Sequence, residues 1–263
     1  MIGIGATLFK VPTAYGASAF SPASLFSNGE EGAWYDPSDL STMFQNSDGT
    51  TAVAVGDPVG YIEDKSGNGN HAIQATSAKR PTLRQAGSLY YLEFDGAQGL
   101  RSAAIDFTST DSMSVFAGAK SETDATQMIG ELSTNSGGND GTFRIGSVAG
   151  DQWRYASKGD GTLVNANANG YTPPLTSVLT GLSDISDPVV TTRVDGVQEA
   201  SSTTSQGSGN YGNHVLNVGA RNNGGGFQLN GFIYGLIVRG ATSSADEIAS
   251  AEAYIAGKTG VSL

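Results

Sequence analysis

Cysteine is absent from this 263-residue chain, which excludes every Cys-based metal or redox motif. Histidine is nearly absent: His71 and His214 are the only two, so a Ser-His-Asp triad or a His-rich metal site would have to rest on one of them. Basic residues number 14 against 25 acidic ones, a formal net charge of −11. Without clustered Lys and Arg to release counterions from a phosphate backbone, no nucleic-acid partner is expected. No apolar run approaches the ~20 residues of a membrane helix, so no membrane insertion is expected. The opening, Met1 to Lys10, places its one basic residue after the apolar patch, the reverse of a secretory signal, and no export peptide is expected. Neither Gly-x-Ser-x-Gly nor Gly-x-x-x-x-Gly-Lys occurs, and no cofactor is expected.

Glycine, by contrast, is abundant at 37 residues, while charged residues make up only 15%. With many Ser, Thr and Asn, this composition fits numerous short strands joined by tight turns. The length suits one large β domain.

The last fifty residues carry the clearest pattern. Leu216, Val218 and Ala220 alternate with Val215, Asn217 and Gly219, as in a strand with two unlike faces. After the polar loop at Asn222 comes a nearly continuous apolar run, Phe232 to Val238, which predicts a strand covered on both sides. Ser244-x-x-Glu247 is a capping box, Ile248, Ala251 and Ile255 follow at helical spacing, and Gly257 is the expected left-handed stop.

Upstream, Val189 to Gln198 predicts a hairpin turning at Asp195-Gly196. Met113–Ala119, Gln127–Leu132, Phe143–Val148 and Gln152–Ala156 read as further strands, with polar loops at Asn165–Pro174 and Ser201–Asn213. Asp36 before Pro37, with Leu40, Met43 and Phe44 at helical spacing, predicts a short helix, and Trp34 is expected to pack near its start. Val53 to Asp64 predicts a hairpin turning at Gly56-Asp57-Pro58. The following Asp64-Lys-Ser-Gly-Asn-Gly-Asn-His71 is read as an internally hydrogen-bonded loop, with a calcium site as the sharper alternative.

The Asp64–Ala72 loop, the Leu92-Glu-Phe-Asp-Gly96 strand end, the Asp195-Gly196 hairpin and the order strand, loop, strand, helix at the end resemble concanavalin A-like, laminin-G-like domains. The resemblance covers about residues 32 to 263. It implies an all-β fold: an antiparallel jelly-roll β-sandwich with a short N-terminal helix and a C-terminal helix. Glycosidases of this fold carry Glu-x-Asp-x-Glu on one strand. Here Glu93 and Asp95 share a face, but the third position is Ala97, so no catalytic residue and no enzyme activity are expected.

Residues 1–30 are read as an extended docking arm, and 31–263 as the jelly-roll domain. The arm carries Leu8, Phe9, Tyr15, Phe20, Leu25 and Phe26, apolar side chains suited to grooves on a partner. A disordered leader is the alternative, though it would be poorer in aromatics and richer in charge. The opening, together with Ala33-Trp-Tyr-Asp-Pro-Ser-Asp-Leu40, is similar to structural proteins of tailed bacteriophages. That resemblance implies a non-enzymatic virion protein, on head or tail, attached through the arm to other virion proteins and assembled in the host cytoplasm. A homo-oligomer is expected, because multiple arms bind with avidity. A glycan-degrading enzyme of the same superfamily and a bacterial adhesion module are the competing classes. Host-surface polysaccharide is the expected small partner, met on one sheet or loop edge by Trp153, Tyr155, Tyr171, Tyr211, Asn222 and Asn223. No metal ligand is assigned.

Overall fold

The structure, a computed structural model, describes residues 20–263. In chain order the strands are β1 (Gly32–Tyr35), β2 (Met43–Phe44), β3 (Tyr61–Ile62), β4 (Ala72–Ile73), β5 (Thr82–Ala86), β6 (Leu89–Asp95), β7 (Leu100–Asp106) and β8 (Ser112–Ser121). They continue as β9 (Gln127–Leu132), β10 (Thr142–Val148), β11 (Gln152–Lys158), β12 (Val164–Asn169) and β13 (Leu175–Asp184). Then come β14 (Val189–Val194), β15 (Val197–Ser202), β16 (Asn213–Val218), β17 (Asn230–Arg239) and the helix α1 (Ala245–Thr259). Single 3-10 turns occupy Pro22–Phe26, Leu40–Thr42 and Ser77–Lys79.

Two antiparallel sheets form the expected sandwich. One has the order β15-β14-β13-β8-β17-β6-β5, with β1 also on β17; the other runs β12-β11-β10-β9-β16-β7-β4-β3-β2. Their inner faces meet in one core, to which the first sheet gives Leu92, Phe94 and Leu236 and the second Phe143, Trp153, Tyr155 and Leu216. The apolar run of β17 is central, as predicted. Ile233, Leu236 and Val238 enter this core, while Ile237 faces the other way.

That other face holds a second core beneath α1. Ala251, Ile255 and Ala256 of the helix pack with Phe116, Val178, Ile237, Trp34, Leu25 and Phe26. The helix starts at the predicted capping box, with Glu247 N–H donating to Ser244 Oγ (3.2 Å) and Ser244 N–H to Glu247 Oε2 (2.7 Å). It stops at Gly260, φ 76°, and not at Gly257, because the last turn still has Thr259 to bury.

The arm boundary at residue 30 is corrected here. Leu25 is 0% and Phe26 8% exposed under α1, and Phe20 is half-buried edge-on to Tyr254, so these three belong to the body. Leu25 and Phe26 each gain about 1.5–3 kcal/mol from this burial, so no partner groove is needed to account for them. Leu8, Phe9 and Tyr15 lie outside the described residues.

Three further expectations change. The helix predicted after Asp36 shrinks to the 3-10 turn at Leu40–Thr42, since Met43 and Phe44 leave it to pair with β3. Asp36 instead sits buried, accepting from Ser38 and Tyr254. Val53–Asp64 is no hairpin: the Gly56 turn exists, but β3 pairs with β2 and β4. Asn165–Pro174 is only partly loop, because its first residues form β12.

Candidate ligand-binding face

The outer face of the nine-stranded sheet is built by simple alternation. Along β12, Val164, Ala166 and Ala168 enter the core, which leaves Asn165, Asn167 and Asn169 on the opposite side. Along β11, Trp153 and Tyr155 are inside, so Gln152, Arg154 and Ala156 are outside; along β10, Phe143 and Ile145 put Arg144 outside. The registers align these side chains in rows. One row runs Asn165, Ala156, Arg144, Glu131, Asn217 and Arg101 across β12, β11, β10, β9, β16 and β7. The next runs Asn167, Arg154, Gly146.

Within the rows the amides steady the guanidinium groups. Arg154 Nε donates to Asn167 Oδ1 at 2.6 Å, and Arg144 Nη2 to Asn165 Oδ1 at 3.3 Å. Burial pushes both arginines below their ordinary range, Arg144 to about 10 with help from neighbouring Arg154 and Arg221.

A loop divides the face. Arg221 reaches over β9 to grip Glu131, whose carboxylate also accepts from Ser136 N–H at 2.9 Å. Asn222, Asn223 and Phe227 all adopt left-handed φ of 46–55°, a dense run of sparsely populated backbone. The Phe227 ring is 40% exposed and carries the Arg221 guanidinium 4.5 Å from its centre. Asn223 faces Gln74 Nε2 at 2.8 Å, and its N–H donates to Asn217 Oδ1. Beyond the loop an open hollow of about 330 Å³ is lined by Ile73, Ala75, Arg101, Ala103, Val215 and Asn223.

The six ligand candidates from the sequence separate sharply. Asn222 and Asn223 lie on the dividing loop, Asn222 exposed and Asn223 half-buried. Tyr171 is half-buried against the core, its hydroxyl pushed up to about 12 by burial and the carboxylates of Glu199 and Asp195. Trp153, Tyr155 and Tyr211 are corrected to core positions, at most 2% exposed. Tyr211 and Tyr155 hydroxyls share Ser183 Oγ, at 2.6 and 2.9 Å, and Trp153 Nε1 donates to Ser177. The alternation Gln152-Trp-Arg-Tyr-Ala156 already carried this signal, since two aromatics sharing one strand face mark the buried side. The residues missed were Asn165, Asn167, Arg144 and Arg154.

The Asp64–His71 loop is a clasp. Asp64 accepts from the backbone of Trp34, Ser66 and Asn70, while Asn68 and Asn70 donate to Gly32 O, so the loop fastens β1. Both Asp64 oxygens are thereby occupied. Glu93 and Asp95 end β6 of the other sheet, with Glu93 held by Arg84 at 2.7 Å.

No protein-family model matches the sequence, and no curated protein matches it either. Solved structures do share the fold. An arabinofuranosidase complexed with arabinofuranosyl-alpha-1,2-xylobiose is similar at TM-score 0.63 and 15% identity, over 91% of this chain and 65% of its own. Domain 4 of AbnA, a GH43 extracellular arabinanase from Geobacillus stearothermophilus, in complex with arabinotriose, gives 0.56 and 13% over 85% of this chain and 98% of that domain. The binding domain of botulinum neurotoxin DC in complex with SialylT gives 0.53 and 11% over 84% and 52%. This chain therefore spans about half to two-thirds of the length of the first and third. The fold is a β-sandwich of this kind.

Proposed function

We propose that this chain is a carbohydrate-binding β-sandwich whose glycan lies along the outer face of the nine-stranded sheet. One observation carries the reading: amides and guanidinium groups of Asn165, Asn167, Arg144 and Arg154 stand in register on an open strand face beside the exposed ring of Phe227. Amides and guanidinium groups bond sugar hydroxyls, and an aromatic face takes the C–H side of a ring. The fold neighbours solved with arabinotriose and with SialylT support the same class. The reading is of binding without catalysis, supported by the capture of Glu131 by Arg221 and of Glu93 by Arg84. A glycan array followed by calorimetry tests it. Asn167→Ala and Phe227→Ala should each weaken a hit several-fold, and release of reducing ends from the bound glycan would overturn the non-catalytic part.

Carriage on a tailed-phage particle is the finer proposal. It rests on the resemblance of the opening residues and includes attachment through the first residues, Leu8, Phe9 and Tyr15 among them, and assembly as a homo-oligomer. Labelled-antibody electron microscopy of particles tests the location, and sedimentation of the full chain tests the oligomer.

A further inference from the structure

Arg144 and Arg154 are diagonal neighbours on β10 and β11: Arg144 stands opposite Ala156, and Arg154 opposite Gly146. Both line one shallow, open depression of about 10 Å³ with Gln127, Met128, Gly146 and Ser147. Neither forms an ion pair among the described residues, and residues 1–19 contain no Asp or Glu. Glu131, which stands opposite Arg144, has both oxygens taken by Arg221. Arg144 Nε is shielded from water and has no acceptor at all.

This arrangement costs folding energy. Two like charges side by side in partial burial disfavour each other's charged form, and an unmet buried donor adds its desolvation cost. An anion bound over the pair offsets the first of these. A carboxylate matches the outer edge of the guanidinium fork in shape and charge. The chain as a whole carries −11, so a densely charged polyanion is repelled, whereas one carboxylate in a neutral setting is not. Asn165 and Asn167, beside the two arginines, are groups for hydroxyls.

We infer that the Arg144–Arg154 depression is a subsite for the carboxylate of an acidic sugar, a uronic or sialic acid unit carried in an otherwise neutral glycan. The inference rests on the carbohydrate-binding reading above and adds the ligand's charge to it.

Calorimetry on the full chain at low ionic strength, with matched probe pairs, tests it. The pairs are 3′-sialyllactose against lactose, and glucuronic acid-substituted xylotetraose against xylotetraose, so the two arms separate sialic from uronic acid. The acidic member of one pair should bind roughly ten- to hundred-fold tighter than its neutral partner, the range of a charge-assisted bond. Arg144→Gln and Arg154→Gln should each erase most of that preference, while Arg144→Lys keeps part of it; thermal melts confirm that each variant is folded. Equal affinity within both pairs, or a preference that survives both Gln variants, overturns the subsite and leaves carbohydrate binding standing. No binding to any of the four probes also overturns the subsite, and the wider reading then stands or falls on the neutral glycans of the array.

Discussion

Arg221 holds Glu131 through two parallel bonds, Nε to Oε2 at 2.9 Å and Nη2 to Oε1 at 2.8 Å, with the Glu131 side chain wholly removed from solvent. A buried carboxylate deprived of the cation bonded to it is the costly case. Arg221→Ala should lower stability by about 3–5 kcal/mol in urea unfolding. Glu131→Gln should cost less, since the amide stays neutral and its oxygen still accepts from Ser136. Arg221→Ala should also weaken glycan binding, because it frees the loop that presents Phe227.

The hydroxyl cluster of Tyr211, Tyr155, Ser157 and Ser183 is sealed in the core. Tyr211→Phe removes the member that two serines share. Stability should fall by about 1–2 kcal/mol, with glycan affinity unchanged. A loss of affinity at full stability would return Tyr211 to the ligand.

Leu25 has no exposed surface beneath α1, so Leu25→Ala should cost about 2–5 kcal/mol. Truncation provides a second check. Removing residues 1–28 should lower the melting temperature well below that of a chain lacking only residues 1–19, because the longer deletion takes Leu25 and Phe26 from the second core.

Glu30 pins the chain just before β1 to the end of β17, accepting from Arg239 Nη2 at 2.7 Å and from Asn28 N–H at 2.9 Å. Burial alone raises this carboxyl, but the bonds from Arg239, the backbone and Asn28 outweigh it and bring it down to about 2. With the folded value below the unfolded one, the contribution is complete above about pH 4.3 and fades as pH falls through the folded value. Glu30→Gln should therefore be about 2 kcal/mol less stable than the natural chain at pH 7. That gap should narrow steadily in unfolding experiments taken down to pH 2.

Much of the sandwich was legible because its signals are local. Asp195 and Gly196 take φ of 49° and 82° in the two-residue turn that the Asp-Gly pair predicts. The β17 run and the Ser244–Glu247 box likewise need no distant partner to be read. What failed depended on distant partners. Met43 and Phe44 have helical spacing, but β3 claims them for a ladder. Asn165 to Asn169 alternates amides with alanines, two poor strand formers, so β12 looked like a loop, and the face it completes went unread. Leu25 and Phe26 looked free because their cover, α1, comes more than 200 residues later.

That separation also sets an order of events during synthesis. β1 joins the sheet only by pairing with β17, Trp34 opposite Ile237. At about 5–20 residues per second, a ribosome takes roughly 10–40 s to make the intervening chain. Throughout that interval Leu25, Phe26 and Trp34 have neither strand nor helix to cover them, and the nascent chain carries an apolar N-terminal segment in search of a mate. The emergence of β17 and α1 closes the molecule, so a stalled or prematurely terminated chain should be an aggregating species and a natural client for chaperones.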